Sequence, residues 1–357
     1  MPIAGAVRTG GCFEVGETVM SDQLTDSAER LFAAHSGKDT IRLAEGGTWP
    51  QALWDAVEKA GFTAALLPED AGGFGATAPE AMGLLRAAAA RAAPIPLGET
   101  MLAGWLLAKA GLPVPLGPLT LAPVRRGDAL ALAGGRVSGM ARRVPWGRNA
   151  RAVVVVADGA VACVLPNGFH VTPGTNVAGE PRDTLAFDGT AAAVPCPVTL
   201  TDVRAAGAAL RSAQIAGALT RILDLCVAYV QTRVQFGRPI GKFQAIQQSM
   251  AILAGQCAAA VAAADMAAEA LGGTLDSLVI GAAKARAGEA ASIVAGLAHQ
   301  VHGAIGFTQE YELHLLTRRL WSWRDEFGNE AEWNALVGRA ALRAGADGLW
   351  PVITAAA

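Results

Sequence analysis

The chain has 357 residues and a formal charge of −2, from 29 Lys and Arg against 31 Asp and Glu. Charged residues make up 17% and apolar residues 52%, which supplies material for large cores and excludes a disordered, charge-rich chain. The near-neutral balance, with no Lys/Arg cluster interleaved with aromatics, excludes the electrostatic footprint of a nucleic-acid binder.

Residues 1–19 are Gly-rich, weakly patterned and without the apolar core of a signal peptide, so they predict a disordered extension, with Met20 as an alternative start. Residues 20–119 predict an N-terminal helical domain. Apolar residues recur there at helical spacing, as at Leu31/Phe32/Ala34, Leu53/Trp54/Val57 and Met82/Leu85/Ala89, and Gly61, the Pro68–Gly75 run, Pro94 and Pro96 separate them. Residues 120–198 change to short β-like runs. The clearest is Val153–Leu165, whose central Asp158-Gly159 pair favours a tight type I′ hairpin; with further runs at 129–132, 169–171 and 185–187 it predicts a small antiparallel sheet or barrel. Residues 199–357 return to long Ala-rich helices, one carrying the stripe Leu210, Ile215, Leu219, Ile222, Leu225 and Tyr229, followed by helices near 243–271, 275–301 and 310–323. Together these predict a mainly α protein with a β middle domain and a C-terminal four-helix bundle.

Charged residues or glycines interrupt every Ala/Val-rich stretch, which predicts no membrane-crossing helix. Five scattered cysteines, Cys12, Cys163, Cys196, Cys226 and Cys257, form no CxxC pair and predict reduced thiols in a soluble, cytoplasmic protein. The ExxH pairs of a di-iron bundle are missing, and His299 and His302 have no carboxylate cluster beside them, so no metal is expected. Neither a GxSxG elbow nor a P-loop is present.

Two segments carry chemistry. In Arg233-Val234-Gln235-Phe236-Gly237-Arg238-Pro239-Ile240-Gly241-Lys242-Phe243-Gln244 a helix ends in a basic Gly/Pro turn; guanidinium, amide and aromatic groups there suit a pyrophosphate and a flat ring, although a helix C-cap with Gly237 left-handed explains the same residues. In Gln300-Val301-His302-Gly303-Ala304-Ile305-Gly306-Phe307 the spaced glycines permit close backbone approach to a ligand or to another helix, and Thr308 reads as the N-cap of the helix that follows.

In order and spacing, these segments together with Pro68-Glu69-Asp70-Ala71-Gly72-Gly73-Phe74-Gly75 resemble the acyl-CoA dehydrogenase family of flavoproteins. The resemblance implies an FAD enzyme that dehydrogenates the Cα–Cβ bond of an acyl-CoA thioester, assembles as a homo- or hetero-tetramer or dimer, and passes electrons to an electron-transfer flavoprotein. It implies that Arg233, Gln235 and Phe236 hold FAD, with Phe243 and Gln244 at its adenosine end, Gln300, Gly303 and Ala304 on its ADP portion across a subunit interface, and Trp146 against the isoalloxazine ring. The sequence departs from the family where a carboxylate should remove the α proton: the two usual positions fall on Phe327 and near Gly207. Glu326 is the nearest replacement, Asp202 a weaker one. The family's acidic flavin loop is reduced to Leu119-Thr120-Leu121-Ala122-Pro123-Val124. Three readings follow: a dehydrogenase with Glu326 as a displaced base, a non-catalytic subunit that completes a partner's FAD site through Arg233 and Gln300, or, more remotely, an acyl-CoA-binding or oxidase-like flavoprotein that meets oxygen directly.

Overall fold

The computed structural model describes residues 14–354, with side chains from residue 23 onward. Five helices open the chain: α1 (Glu14–His35), α2 (Lys38–Glu45), α3 (Gln51–Lys59), α4 (Ala78–Ala90) and α5 (Leu97–Lys109). Helix α1 begins ahead of Met20, so the expected extension is helical from Glu14; residues 1–13 lie outside the described residues. Helix α4 starts on a capping box in which the Thr77 and Glu80 side chains satisfy one another's backbone N–H groups. The Pro68–Gly75 run is a tight turn. Gly73 is required there because a Cβ would lie 1.8 Å from the Leu67 carbonyl oxygen.

The middle of the chain forms two four-stranded sheets rather than one antiparallel sheet. Strands β1 (Leu119–Ala122), β4 (Ala152–Ala157), β5 (Ala160–Val164) and β8 (Ala193–Pro195) make the first, in the order β1-β4-β5-β8. Its β1/β4 pair is parallel, which short β-like runs alone cannot specify. The second has the order β2-β3-β7-β6, from β2 (Leu130–Ala133), β3 (Arg136–Pro145), β6 (Phe169–Thr172) and β7 (Arg182–Phe187). The β4–β5 hairpin turns at Asp158 and Gly159, with φ of 51° and 73°, as the type I′ expectation requires.

The bundle comprises α6 (Leu200–Thr232), α7 (Gln244–Gly272), α8 (Ser277–His302) and α9 (Leu313–Asp325), followed by a further helix, α10 (Glu330–Thr354). Helix α6 is the hub: Ala205 through Leu219 is buried without interruption against the N-terminal domain and the other bundle helices. Contrary to expectation, α6 and α7 are long and apolar enough to cross a membrane by length and composition, because alanine counts as apolar while each helix contains few charges. In α6 that apolarity is spent in the core, and in α7 much of it faces outward. Helix α9 begins at Leu313, so Thr308 is not its N-cap; Thr308 instead bonds back to the Ile305 carbonyl.

Candidate functional site

Helix α6 ends with Arg233 as its C-cap, and strands β9 (Val234–Gln235) and β10 (Arg238–Pro239) form a hairpin with Phe236 and Gly237, at φ of 52° and 79°, as its turn. Gly237 is left-handed, as expected, but in a hairpin rather than in a helix cap. Helix α8 ends at the same end of the bundle: Tyr229 stacks on His302 at 4.4 Å and its hydroxyl donates to the His302 carbonyl at 3.4 Å. The 233–244 and 300–306 segments therefore leave the bundle together. Arg233, Gln235, Phe236, Gln244, Gln300, Gly303 and Ala304 are all exposed. Arg233, Arg238 and Lys242 bring cations to these segments, which contain no carboxylate, and among the described residues the Arg233 guanidinium has no partner. Gly303, at φ 62°, has open space where a Cβ would stand. Cations, amides and accessible backbone without an acid are a donor set that suits the pyrophosphate of FAD. Phe243 is partly occupied by its own chain, since Arg238 lies 4.3 Å over its ring and Phe236 meets it edge-on.

Trp146 is not brought to this surface. Its left-handed backbone (φ 55°) turns the indole into the core, edge-on to Trp49 at 6.1 Å, with 5% of the residue exposed. Asp202 is the N3 residue of a capping box at the start of α6, and its carboxylate accepts from the Thr199 backbone and hydroxyl. Helix capping accounts for it fully.

The α9–α10 connection carries Asp325, Glu326, Phe327 and Gly328. Lys284 of α8 clamps it from below: its buried ammonium donates to the Arg324 carbonyl at 2.6 Å and the Gly328 carbonyl at 3.0 Å, and burial pushes its pKa down to about 8. The Trp333 indole donates to the Phe327 carbonyl at 3.1 Å. Between these anchors Phe327 takes φ 54° and its ring is driven against α6. The residue it covers is Gly207, where a methyl group would lie 2.2 Å from the ring. The two positions at which the sequence places the family's carboxylate therefore meet in space, one filled by a phenyl ring and the other by no side chain at all.

Glu326, the proposed replacement, is turned into a buried ion network. Arg182 donates to its two oxygens at 2.7 and 3.1 Å, and Arg211 to one of them at 2.8 Å. Arg211 also reaches Glu99 at 2.5 Å, while Arg182 reaches Glu180 at 3.0 Å. Burial alone would raise the Glu326 pKa, but the two guanidiniums outweigh it and hold the carboxyl down at about 2. Its side chain is 13% exposed and touches a cavity of about 420 Å³ that is also bordered by Val124, Arg143, Arg204 and Phe327.

The two histidines of the HxxH spacing serve different networks. His299 contacts Thr317 at 2.9 Å, whereas His302 contacts the Ala298 carbonyl at 2.8 Å and the Tyr311 hydroxyl at 3.0 Å. Among the described residues no three His, Cys, Asp or Glu side chains come together as a metal site. Cys226 and Cys257 are buried, which pushes both thiols up to about 12 and suits packing rather than nucleophilic chemistry.

The architecture is that of the acyl-CoA dehydrogenases. It superposes on a chain of the steroid ACAD Tcur3481–Tcur3483 with a TM-score of 0.84 at 23% identity, covering 92% of this chain and 99% of that one. It superposes on a chain of the ChsE4–ChsE5 complex from Mycobacterium tuberculosis with a TM-score of 0.80 at 25% identity, covering 90% and 97%. The sequence pattern described as acyl-CoA dehydrogenase, C-terminal domain, matches residues 204–331. Acyl-CoA dehydrogenase IpdE2 of Mycolicibacterium smegmatis is 30% identical over 305 residues, which span 83% of this chain and 90% of that protein. The chain belongs to the acyl-CoA dehydrogenase family.

Proposed function

We propose that the protein works in the FAD-dependent α,β-dehydrogenation of an acyl-CoA thioester, as a cofactor-holding subunit of an assembly in which another chain supplies the proton-abstracting carboxylate. One observation carries this reading: Phe327 packs on Gly207 at the place where that carboxylate is expected, and the adjacent Glu326 is bound by two arginines. A carboxylate whose conjugate acid titrates near 2 is a weak base for an α proton.

FAD, when bound, supplies the hydride acceptor. In this reading Arg233 and Gln235 hold its pyrophosphate, and Gln300 with the backbone at Gly303 and Ala304 supports the ADP portion. All of these groups are exposed on the single chain, as a site shared between subunits requires. An electron-transfer flavoprotein is the acceptor that this reading supplies. A second reading keeps Glu326 as the base and rests on its contact with the open cavity. The two separate in the assembled, flavin-loaded protein. Glu326→Gln should leave turnover within about threefold, whereas a loss of several orders of magnitude would return the base role to Glu326.

A further inference from the structure

The cavity beside Phe327 contains more positive charge than its surroundings neutralise. Arg204 is paired with Glu332, and Glu326 is committed to Arg182 and Arg211. Asp325 also lines the cavity as an exposed carboxylate; its nearest cation, Arg324 at 3.9 Å, is already paired with Glu330, so Asp325 offsets one of the positive charges. Arg125, Arg126 and Arg143 also line the cavity, and among the described residues none of the three has an ion-pair partner. Two come from the exposed turn after β1, and the third from β3, where the register with β7 shifts between Ala141 and Val144. Arg143 takes φ 56° at that bulge, a conformation an ordinary strand residue avoids, and bulges of this kind re-aim a side chain. Phe327, which also lines the cavity, is likewise left-handed. Together with Val124 and Pro145 it gives the cavity an apolar face next to its guanidiniums.

We propose that this cavity binds an organic anion whose carboxylate is gripped by Arg125, Arg126 and Arg143 and whose short apolar body lies on Phe327, Val124 and Pro145. A guanidinium fork matches the two oxygens of a carboxylate, and the volume of about 420 Å³ falls within the ordinary range for small-ligand sites. The same chemistry is presented by a free carboxylic acid and by an acyl thioester with a carboxylate at its far end. The site rests on these residues and stands whichever chain supplies the base.

The test is calorimetric titration of the purified protein with octanoate, with suberyl-CoA and with octanoyl-CoA, repeated on the Arg125→Ala/Arg143→Ala double variant. The expected result is that octanoate or suberyl-CoA binds and weakens by about tenfold or more in the variant, while octanoyl-CoA, which lacks the distal carboxylate, is unchanged. Binding of octanoate identifies a free acid as the ligand, and binding of suberyl-CoA alone identifies the thioester. The proposal is overturned if neither carboxylate ligand binds, if the variant binds them as well as the parent, or if octanoyl-CoA weakens equally, since the arginines would then be reading the coenzyme's phosphates. Arg125→Ala alone, on an exposed turn, guards against a folding defect at the bulge and should shift affinity in the same direction.

Discussion

Glu326 shows how one side chain's position in sequence and its surroundings in space can point to different roles. It adjoins the expected place of a base, but its partners Arg182 and Arg211 lie 144 and 115 residues away in the chain, and no local pattern announces them. Removing it should therefore register first as a loss of stability. Glu326→Ala leaves two buried guanidiniums without their shared anion, and a cost of about 3–5 kcal/mol in chemical denaturation is expected. The pH dependence has a definite sign: the folded carboxyl titrates near 2, below its ordinary value, so its stabilisation is complete above about pH 4.5 and is lost as pH falls towards 2. Melting curves recorded from pH 7 down to pH 3 should show a steeper acid loss in the parent than in Glu326→Ala. At Gly207 the expectation is overpacking: Gly207→Ala meets the Phe327 ring at 2.2 Å and should cost about 1–3 kcal/mol, and Gly207→Ala combined with Phe327→Ala should recover part of that loss. Phe327 and Gly207 were legible by counting from the motifs that carry the family resemblance, forward from Gln300 through Arg318 and back from Phe236. That they touch was not, since contact depends on how α6 and the α9–α10 connection pack.

Among the elements, those with local causes could be read in advance. The Asp158-Gly159 pair fixed the β4–β5 hairpin because two consecutive left-handed residues leave the chain few alternatives. The stripe on α6 marked a buried helix. Strand β3 escaped notice because it is mostly polar and exposed, with only Val137, Ala141, Val144 and Pro145 buried along its length. Helix α10 lacks a strong apolar stripe and buries only Trp333, so its helical run was not distinguished from the end of the bundle. The arginines of the cavity come from a turn and a strand bulge, and neither has a sequence signature. The β9–β10 hairpin supports a direct prediction. Arg233→Ala removes an exposed guanidinium with no partner among the described residues, so the flavin-free fold should melt as the flavin-free parent does while retained flavin, read at the visible absorbance band, falls at least about tenfold. A variant that remains fully yellow would remove Arg233 from the cofactor site.

For the whole molecule, several large apolar side chains are left uncovered and favour association. Phe236 is 92% exposed and Phe307 68% exposed, and α7 leaves Ile252 and Met266 outside the core. Native mass by light scattering should therefore exceed the 36.4 kDa of one chain. The central claim is that this chain can hold a flavin but does not by itself remove the α proton. The visible spectrum of the chain purified alone, recorded anaerobically before and after a mixture of acyl-CoA thioesters is added, tests it most directly. The account predicts that any flavin band present stays unbleached. Bleaching by the chain alone, abolished in Glu326→Gln, would contradict it and place the base in this chain.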